Sequence, residues 1–195
     1  MKILAQKNLA EAVKAVKAGK ILAVPTETVF ALVVKASDED AIKMLCALKT
    51  QMPSSGKVFT ILVPNLDVIS KYAKMNRRAK NLALHFANSE VTMIVPKKQS
   101  FKSEYFDHFK NIGFRIPQHK YLMSLIKKTG PLLIASANLH GDSPCMNDKE
   151  VKECVPGVDV IVRGRAQGEM PTTVLDLSGE EPIVRRQGGL LIVRY

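Results

Sequence analysis

The sequence predicts a single α/β domain built on a twisted, mixed β-sheet flanked by helices. Short apolar, β-branched runs such as Val58-Phe59-Thr60-Ile61-Leu62-Val63 recur along the chain. Amphipathic segments at helical spacing separate many of them. The two kinds of segment interleave without strict one-for-one alternation, which favours a mixed sheet over a doubly wound parallel one. With 195 residues the chain can bury one sizeable core, and residues 1–195 are expected to form one domain.

Leu9, Ala12, Val13 and Val16 fall at i, i+3, i+4 and i+7, a helix that Gly19 stops. A buried strand over 20–24 follows and ends at Pro25, and a second apolar run begins at Val29. Ser37-Asp38-Glu39-Asp40 sets acidic groups against the positive end of a helix dipole, and Ala41, Ile42, Leu45 and Leu48 supply that helix's buried face. After the loop Thr50–Gly56 come a strand over 58–63, a helix near 76–87 and a strand over 91–95. Ile112–Ile116 reads as a short strand closed by Pro117. Tyr121, Leu122, Leu125 and Ile126 mark a helix ended by Gly130-Pro131, and strands over 132–135, 158–162, 172–177 and 182–186 complete the chain.

Hydrophobic content of 46% and charged content of 24% are those of an ordinary globular protein. No apolar stretch is long enough to span a bilayer, and the N-terminus carries no signal-peptide core, so a cytoplasmic protein without membrane contact is expected. Cys46, Cys145 and Cys154 are odd in number and lack CxxC spacing, which argues against a disulfide framework or a zinc site. The anomaly is the formal net charge of +11. Cations recur at Lys71, Lys74, Arg77, Arg78 and Lys80, at Lys97, Lys98 and Lys102, and at Arg163, Arg165, Arg185 and Arg186. Such a balance favours polyanionic partners, either nucleic acid or nucleotide phosphates.

Several polar groups fall at the ends of the expected strands. In Pro25-Thr26-Glu27-Thr28 two hydroxyls either bond locally in a turn or face a small polar ligand. Lys49 opens a loop, Pro53-Ser54-Ser55-Gly56-Lys57, whose lysines and backbone N–H groups could surround a phosphate, although the P-loop spacing is absent. Arg115 lies inside an apolar strand and must find an anion, either a ligand carboxylate or a structural Asp or Glu. Ser136 and Asn138 follow a buried strand and either share a ligand or form a turn. Thr172 and Thr173 enter one strand, and Arg186-Gln187-Gly188-Gly189 leaves the next. Four histidines without HExxH spacing, no GxSxG elbow and no carboxylate pair leave a site that aligns substrates electrostatically, without a covalent nucleophile.

In this order the residues resemble the YrdC/TsaC family, the threonylcarbamoyl-AMP synthases. The family's Pro-Thr-x-Thr-x-Tyr-Gly, Lys-x-Arg, Arg-Val-Pro, Ser-x-Asn, Ser-Thr-Val and Arg-x-Gly elements are similar to Pro25–Ala31, Lys49-Thr50-Gln51, Arg115-Ile116-Pro117, Ser136–Asn138, Thr172-Thr173-Val174 and Arg186-Gln187-Gly188. The resemblance runs from about residue 8 to residue 189. It implies a YrdC-like fold and a nucleotidyltransferase that makes threonylcarbamoyl-adenylate and pyrophosphate from L-threonine, bicarbonate and ATP with Mg²⁺. The product serves threonylcarbamoyl modification of tRNA, so tRNA and partner proteins of that pathway are implied as well. By the same resemblance Thr26, Arg115, Ser136 and Thr172 would hold threonine. Lys49, Lys57, Asn138 and Arg186 would hold ATP, and Lys49 and Arg115 would be catalytic. The chain departs from the pattern at Phe30 and Ala31, where tyrosine and glycine stand in the family, and at Gln51, where an arginine stands. Asn88-Ser89-Glu90 replaces a Pro-Gly, and Thr172 replaces a serine. The alternative is a paralogue of the same fold that binds double-stranded RNA or tRNA without the synthase activity.

Overall fold

The computed structural model describes residues 1–49, 59–139, 141–168 and 170–193. The expected loop at 50–56, with Gln51 and Lys57, lies outside the described residues. Among the described residues six helices and ten strands follow one another as β1 (Lys2–Leu4), α1 (Leu9–Lys17), β2 (Leu22–Val24), β3 (Ala31–Lys35), α2 (Glu39–Leu48), β4 (Thr60–Leu62), α3 (Leu66–Tyr72), α4 (Arg77–Phe86), β5 (Val91–Pro96), β6 (Asn111–Arg115), α5 (Lys120–Thr129), β7 (Leu132–Ser136), α6 (Asp148–Cys154), β8 (Val160–Val162), β9 (Thr173–Asp176) and β10 (Ile183–Arg186). All strands join one sheet in the order β1-β8-β2-β3-β7-β4-β6-β5-β9-β10. Pairs β1–β8, β2–β8, β4–β6 and β5–β9 are parallel and the others antiparallel, so the sheet is mixed as expected.

Side chains alternate across this sheet with period two. Ala23, Leu32, Val34, Ile61, Leu133 and Ile161 face a large core closed by α2, α3, α4 and α6. Their neighbours Leu22, Val33, Leu62, Leu132 and Val160 face a second core under α1 and α5. Helix starts are fixed by side-chain caps: Asp38, Asn65, Asn76 and Asn147 accept from backbone N–H groups at the heads of α2, α3, α4 and α6.

The second helical layer is incomplete, and this creates the site. One cross-strand row runs Leu22–Val33–Ile134–Thr60–Gly113–Ile94–Asp176. Leu22 and Val33 lie under α1 and α5, whereas Ile134, Thr60, Ile94 and Asp176 line an open cavity. Gly113 leaves the middle of that floor without a side chain. A Cβ there would stand 2.9 Å from Thr60 Oγ1.

Four elements were not anticipated from the sequence. α3 and α6 span only seven residues each, too few to display a period. β1 exposes two of its three residues and exists through its pairing with β8. β3 grows out of the second apolar run, beginning at Ala31.

The two-faced packing makes a mutational contrast. Ile61→Ala and Leu62→Ala, on opposite faces of β4, should each cost about 2–5 kcal/mol in urea unfolding. Thr60→Ala, on the same face as Leu62 but on the open cavity floor, should cost about 1 kcal/mol or less.

Candidate active site

A cavity of about 780 Å³ lies over the uncovered half of the sheet. Its lining draws on seven neighbouring strands, from Ala31 on β3 to Arg185 and Arg186 on β10. Every described residue singled out as a site candidate lines it: Thr26, Lys49, Arg115, Ser136, Asn138, Thr172 and Arg186. Lys57 lies outside the described residues.

At one corner the segment after β2 folds onto the end of β6. Thr26 Oγ1 donates to Val29 O (2.7 Å) and accepts from Thr28 N–H (3.0 Å). The turn therefore forms, and it presents its hydroxyls to the cavity. Arg115 donates to Thr28 Oγ1 at 3.2 Å and pairs with Glu27 Oε1 at 2.6 Å. Its anion is thus a structural glutamate, and its side chain lines the cavity as well. Glu27 and Arg115 are 6% and 5% exposed, a buried ion pair in which Glu27 Oε1 also accepts from Gln118 N–H. Burial pushes the Glu27 carboxyl up, but the Arg115 charge and the backbone N–H bonds outweigh it and hold its pKa below the ordinary value.

Arg186 approaches the same corner from β10. Its Nε and Nη2 donate to Thr172 O at 3.2 and 2.9 Å, and Thr172 Oγ1 lies 2.9 Å from Thr92 Oγ1. Burial and the nearby Arg115 charge both lower the Arg186 pKa, so the two guanidiniums repel one another. Gly188 allows the chain leaving β10 to pass this close, because a Cβ there would lie 2.2 Å from Pro171 O. Two cations, one of them already paired with a buried carboxylate, and the hydroxyls around them make an anion-binding corner.

A second corner forms where α2 ends beside β7. Lys49 is 2% exposed, and its ammonium donates to Ser136 O (2.9 Å) and Asn138 Oδ1 (2.6 Å). Ser136 Oγ donates to the same Asn138 oxygen at 2.6 Å. Asn138 Nδ2 donates to Asp142 O at 2.7 Å. Lys49 thus fixes the Ser136–Asn138 turn at the cavity edge.

Sequence reasoning gave no site role to Glu27, Thr92, Asn111, Asp142 or Asp176 and counted Arg185 only among the surface cations, although the structure sets all but Glu27 in the cavity lining. Thr28 stood in the motif already read. Thr92 carried no signal inside an apolar strand. Phe30 is fully buried with its ring in the large core, whereas Ala31 lines the cavity opposite Ser136.

A mixed α/β domain whose half-covered sheet carries an arginine- and hydroxyl-rich cavity defines the class. The chain belongs to the Sua5/YciO/YrdC family, whose model, described as "Telomere recombination", matches residues 14–188. It is 29% identical over 187 residues to the uncharacterized protein YciO of Escherichia coli K12, covering 94% of this chain and 90% of YciO. It is 26% identical to human threonylcarbamoyl-AMP synthase, covering 91% of this chain and 66% of the human protein. Among solved structures, E. coli YciO superposes with a TM-score of 0.85 at 26% identity over 96% of this chain and 95% of YciO. P. abyssi Sua5 complexed with L-threonine superposes with a TM-score of 0.89 at 25% identity over 97% of this chain and 58% of Sua5. The chain therefore spans a little over half the length of that Sua5. Among the described residues no helix is long and apolar enough to cross a membrane.

The buried carboxylate sets an acid limit. Glu27 has a folded pKa below its ordinary 4.5, so its contribution to stability is complete above that value and is lost as pH falls through the folded one. Thermal unfolding followed from pH 7 to pH 3 should show the steepest loss below 4.5. Glu27→Gln, which strands buried Arg115, should lower stability by about 3–5 kcal/mol at pH 7 and flatten the acid limb.

Proposed function

We propose that the chain is a nucleotidyltransferase of the threonylcarbamoyl-AMP synthase type, which joins L-threonine, bicarbonate and ATP into threonylcarbamoyl-adenylate and pyrophosphate. The observation that carries this reading is the convergence of Thr26, Lys49, Arg115, Ser136, Asn138, Thr172 and Arg186 on one cavity. The name of the human relative and the L-threonine in P. abyssi Sua5 support it.

In this reading Thr26, Arg115, Ser136 and Thr172 hold threonine, while Lys49, Asn138 and Arg186 hold ATP. Threonine's amine takes up bicarbonate as a carbamate, the new C–N bond forming as water leaves. A carbamate oxygen then attacks the α-phosphorus, and the bond to the pyrophosphate oxygen breaks. Two anions must meet, so catalysis lies in alignment and charge. Arg115 is neutralised by Glu27 and contributes orientation. Arg186 is braced on the neutral Thr172 carbonyl and contributes net positive charge. Lys49 acts by fixing the Ser136–Asn138 turn. Mg²⁺ would arrive on the nucleotide phosphates, as it commonly does. Among the described residues no cluster of three or more His, Cys, Asp or Glu could hold an ion, and Asp176 in the cavity is engaged by Arg185 and Ser178.

A second reading, a member of the same fold that binds double-stranded RNA or tRNA without the synthase activity, is favoured by the exposed Lys71, Lys74, Arg77 and Lys80 on α3, on α4 and in the turn between them. Its mark is tRNA or duplex RNA binding that weakens steeply with salt and does not depend on threonine.

Incubation with ATP, labelled bicarbonate and L-threonine should release pyrophosphate only when threonine is present. No turnover, together with no ATP binding by calorimetry, would overturn the synthase reading. Lys49→Ala should lower turnover about a hundredfold or more and also lower the melting temperature, because it releases the Ser136–Asn138 turn. An unchanged melting temperature would show that the turn stands without Lys49.

A further inference from the structure

We propose that Arg185 is a second anion-gripping residue at the mouth of the cavity, and that with Arg186 it clamps a phosphoanhydride chain at two points. The inference deepens the nucleotide half of the reading above and rests on it for the natural ligand.

The starting observation is an irregularity in β10. Val184 pairs with Leu175 and Arg186 with Val174, so one extra residue, Arg185, is accommodated between consecutive partners on β9. In a regular strand neighbouring side chains face opposite sides of the sheet. A bulge breaks that alternation and re-aims a side chain. Here Arg185 and Arg186, adjacent in sequence, both line the cavity.

The two guanidiniums are held apart by separate braces on β9. Arg186 is tied to Thr172 O, whereas Arg185 donates from Nε to Asp176 Oδ2 (3.0 Å) and sets Nη2 in an ion pair with the same oxygen (2.9 Å). Thr172 and Asp176 lie four residues apart, about 13 Å along an extended strand. Asp176 is 5% exposed at the end of the cavity floor, and its other oxygen accepts from Ser178 N–H (2.9 Å) and Ser178 Oγ (2.6 Å). Asn111 Nδ2 in turn donates to Ser178 Oγ at 3.1 Å. A carboxylate buried beside an anion site repels the ligand unless it positions a cation. Arg185 itself is 57% exposed in its side chain, and Nη1 has no partner among the described residues. One edge of the guanidinium is anchored, and the other is presented at the mouth.

Braces that far apart on β9 set the two guanidiniums at separate points, an arrangement that suits a chain of phosphoryl groups better than a single phosphate. The ligand class is therefore a phosphoanhydride chain, and Asp176 is a positioning residue for it.

The test is calorimetric titration of the full chain with inorganic phosphate, pyrophosphate and tripolyphosphate, without turnover. Tripolyphosphate should bind at least about tenfold more tightly than phosphate. Arg185→Gln should remove most of that advantage and leave phosphate affinity within about twofold. The double variant Arg185→Gln/Asp176→Asn removes the charge pair without stranding Asp176, and it should bind tripolyphosphate as weakly as the single variant. Arg185→Gln that loses melting temperature with unchanged tripolyphosphate affinity would overturn the proposal, making Arg185 only the counter-ion of Asp176. Equal loss of all three anions would overturn it as well. Absence of threonine-dependent turnover with the chain-length preference intact would count against the synthase reading alone.

Discussion

The buried pair between Glu27 and Arg115 is the interaction on which the cavity depends. It joins the loop after β2 to the end of β6, and the N···O distance of 2.6 Å leaves no room for water between them. Removing both charges from water costs several kcal/mol per ion, so proximity alone does not justify such a pair. It is sustained because Glu27 also accepts from Gln118 N–H and Arg115 also donates to Thr28 Oγ1. The same pair thus orders Thr26 and Thr28 on one side and the start of α5 on the other. Its effect is less stability than geometry: an arginine that cannot swing, with its charge already met, presented to a ligand for shape and hydrogen bonding.

That pair can exist only because the sheet is covered unequally. α1 and α5 close one face over β2, β3 and part of β7, and there the row of inward side chains is Leu22 and Val33. Farther along the same row the chain places Thr60 and Asp176, whose polar groups an apolar helix would strand, and Gly113, which has no side chain to pack against one. The opposite face shows no such change, since Ile61, Met93, Phe114 and Leu175 continue one apolar core beneath the cavity floor. A rigid core on one side and a half-open layer on the other is the arrangement that holds loop-borne polar groups in fixed positions.

The sequence disclosed the elements whose signals are local. Strand ends were legible because apolar runs break into Thr26, Arg115, Ser136 and Thr172, and these groups do converge in one cavity. α2 was legible through Asp38 and its buried face. What stayed hidden is relational. Whether Arg115 meets a glutamate or a ligand depends on Glu27, 88 positions earlier, and no spacing rule links the two. The bulge at Arg185 is a property of pairing register between β9 and β10, which a strand read alone over 182–186 does not carry. β1 follows from its partner β8 more than from its own exposed residues. α6 had a usable local signal, Asn147 with Glu150 three residues on, but its seven residues gave no periodicity to set beside it.

The two departures inside the Pro25–Ala31 segment are not equivalent once they are placed in space. Phe30 turns its ring into the large core, away from the floor, where it is fully buried among apolar side chains. A hydroxyl would be costly there without a partner, and phenylalanine avoids that cost while filling the same volume. Ala31 is the residue that meets the cavity, on β3 directly opposite Ser136. Where the family pattern has glycine, this chain adds one methyl group beside the Ser136–Asn138 turn that Lys49 holds. The volume lost is small, but it lies next to atoms whose positions are fixed by hydrogen bonds and cannot retreat. The divergence of this segment therefore acts on the shape of the cavity through Ala31, and on the composition of the core through Phe30.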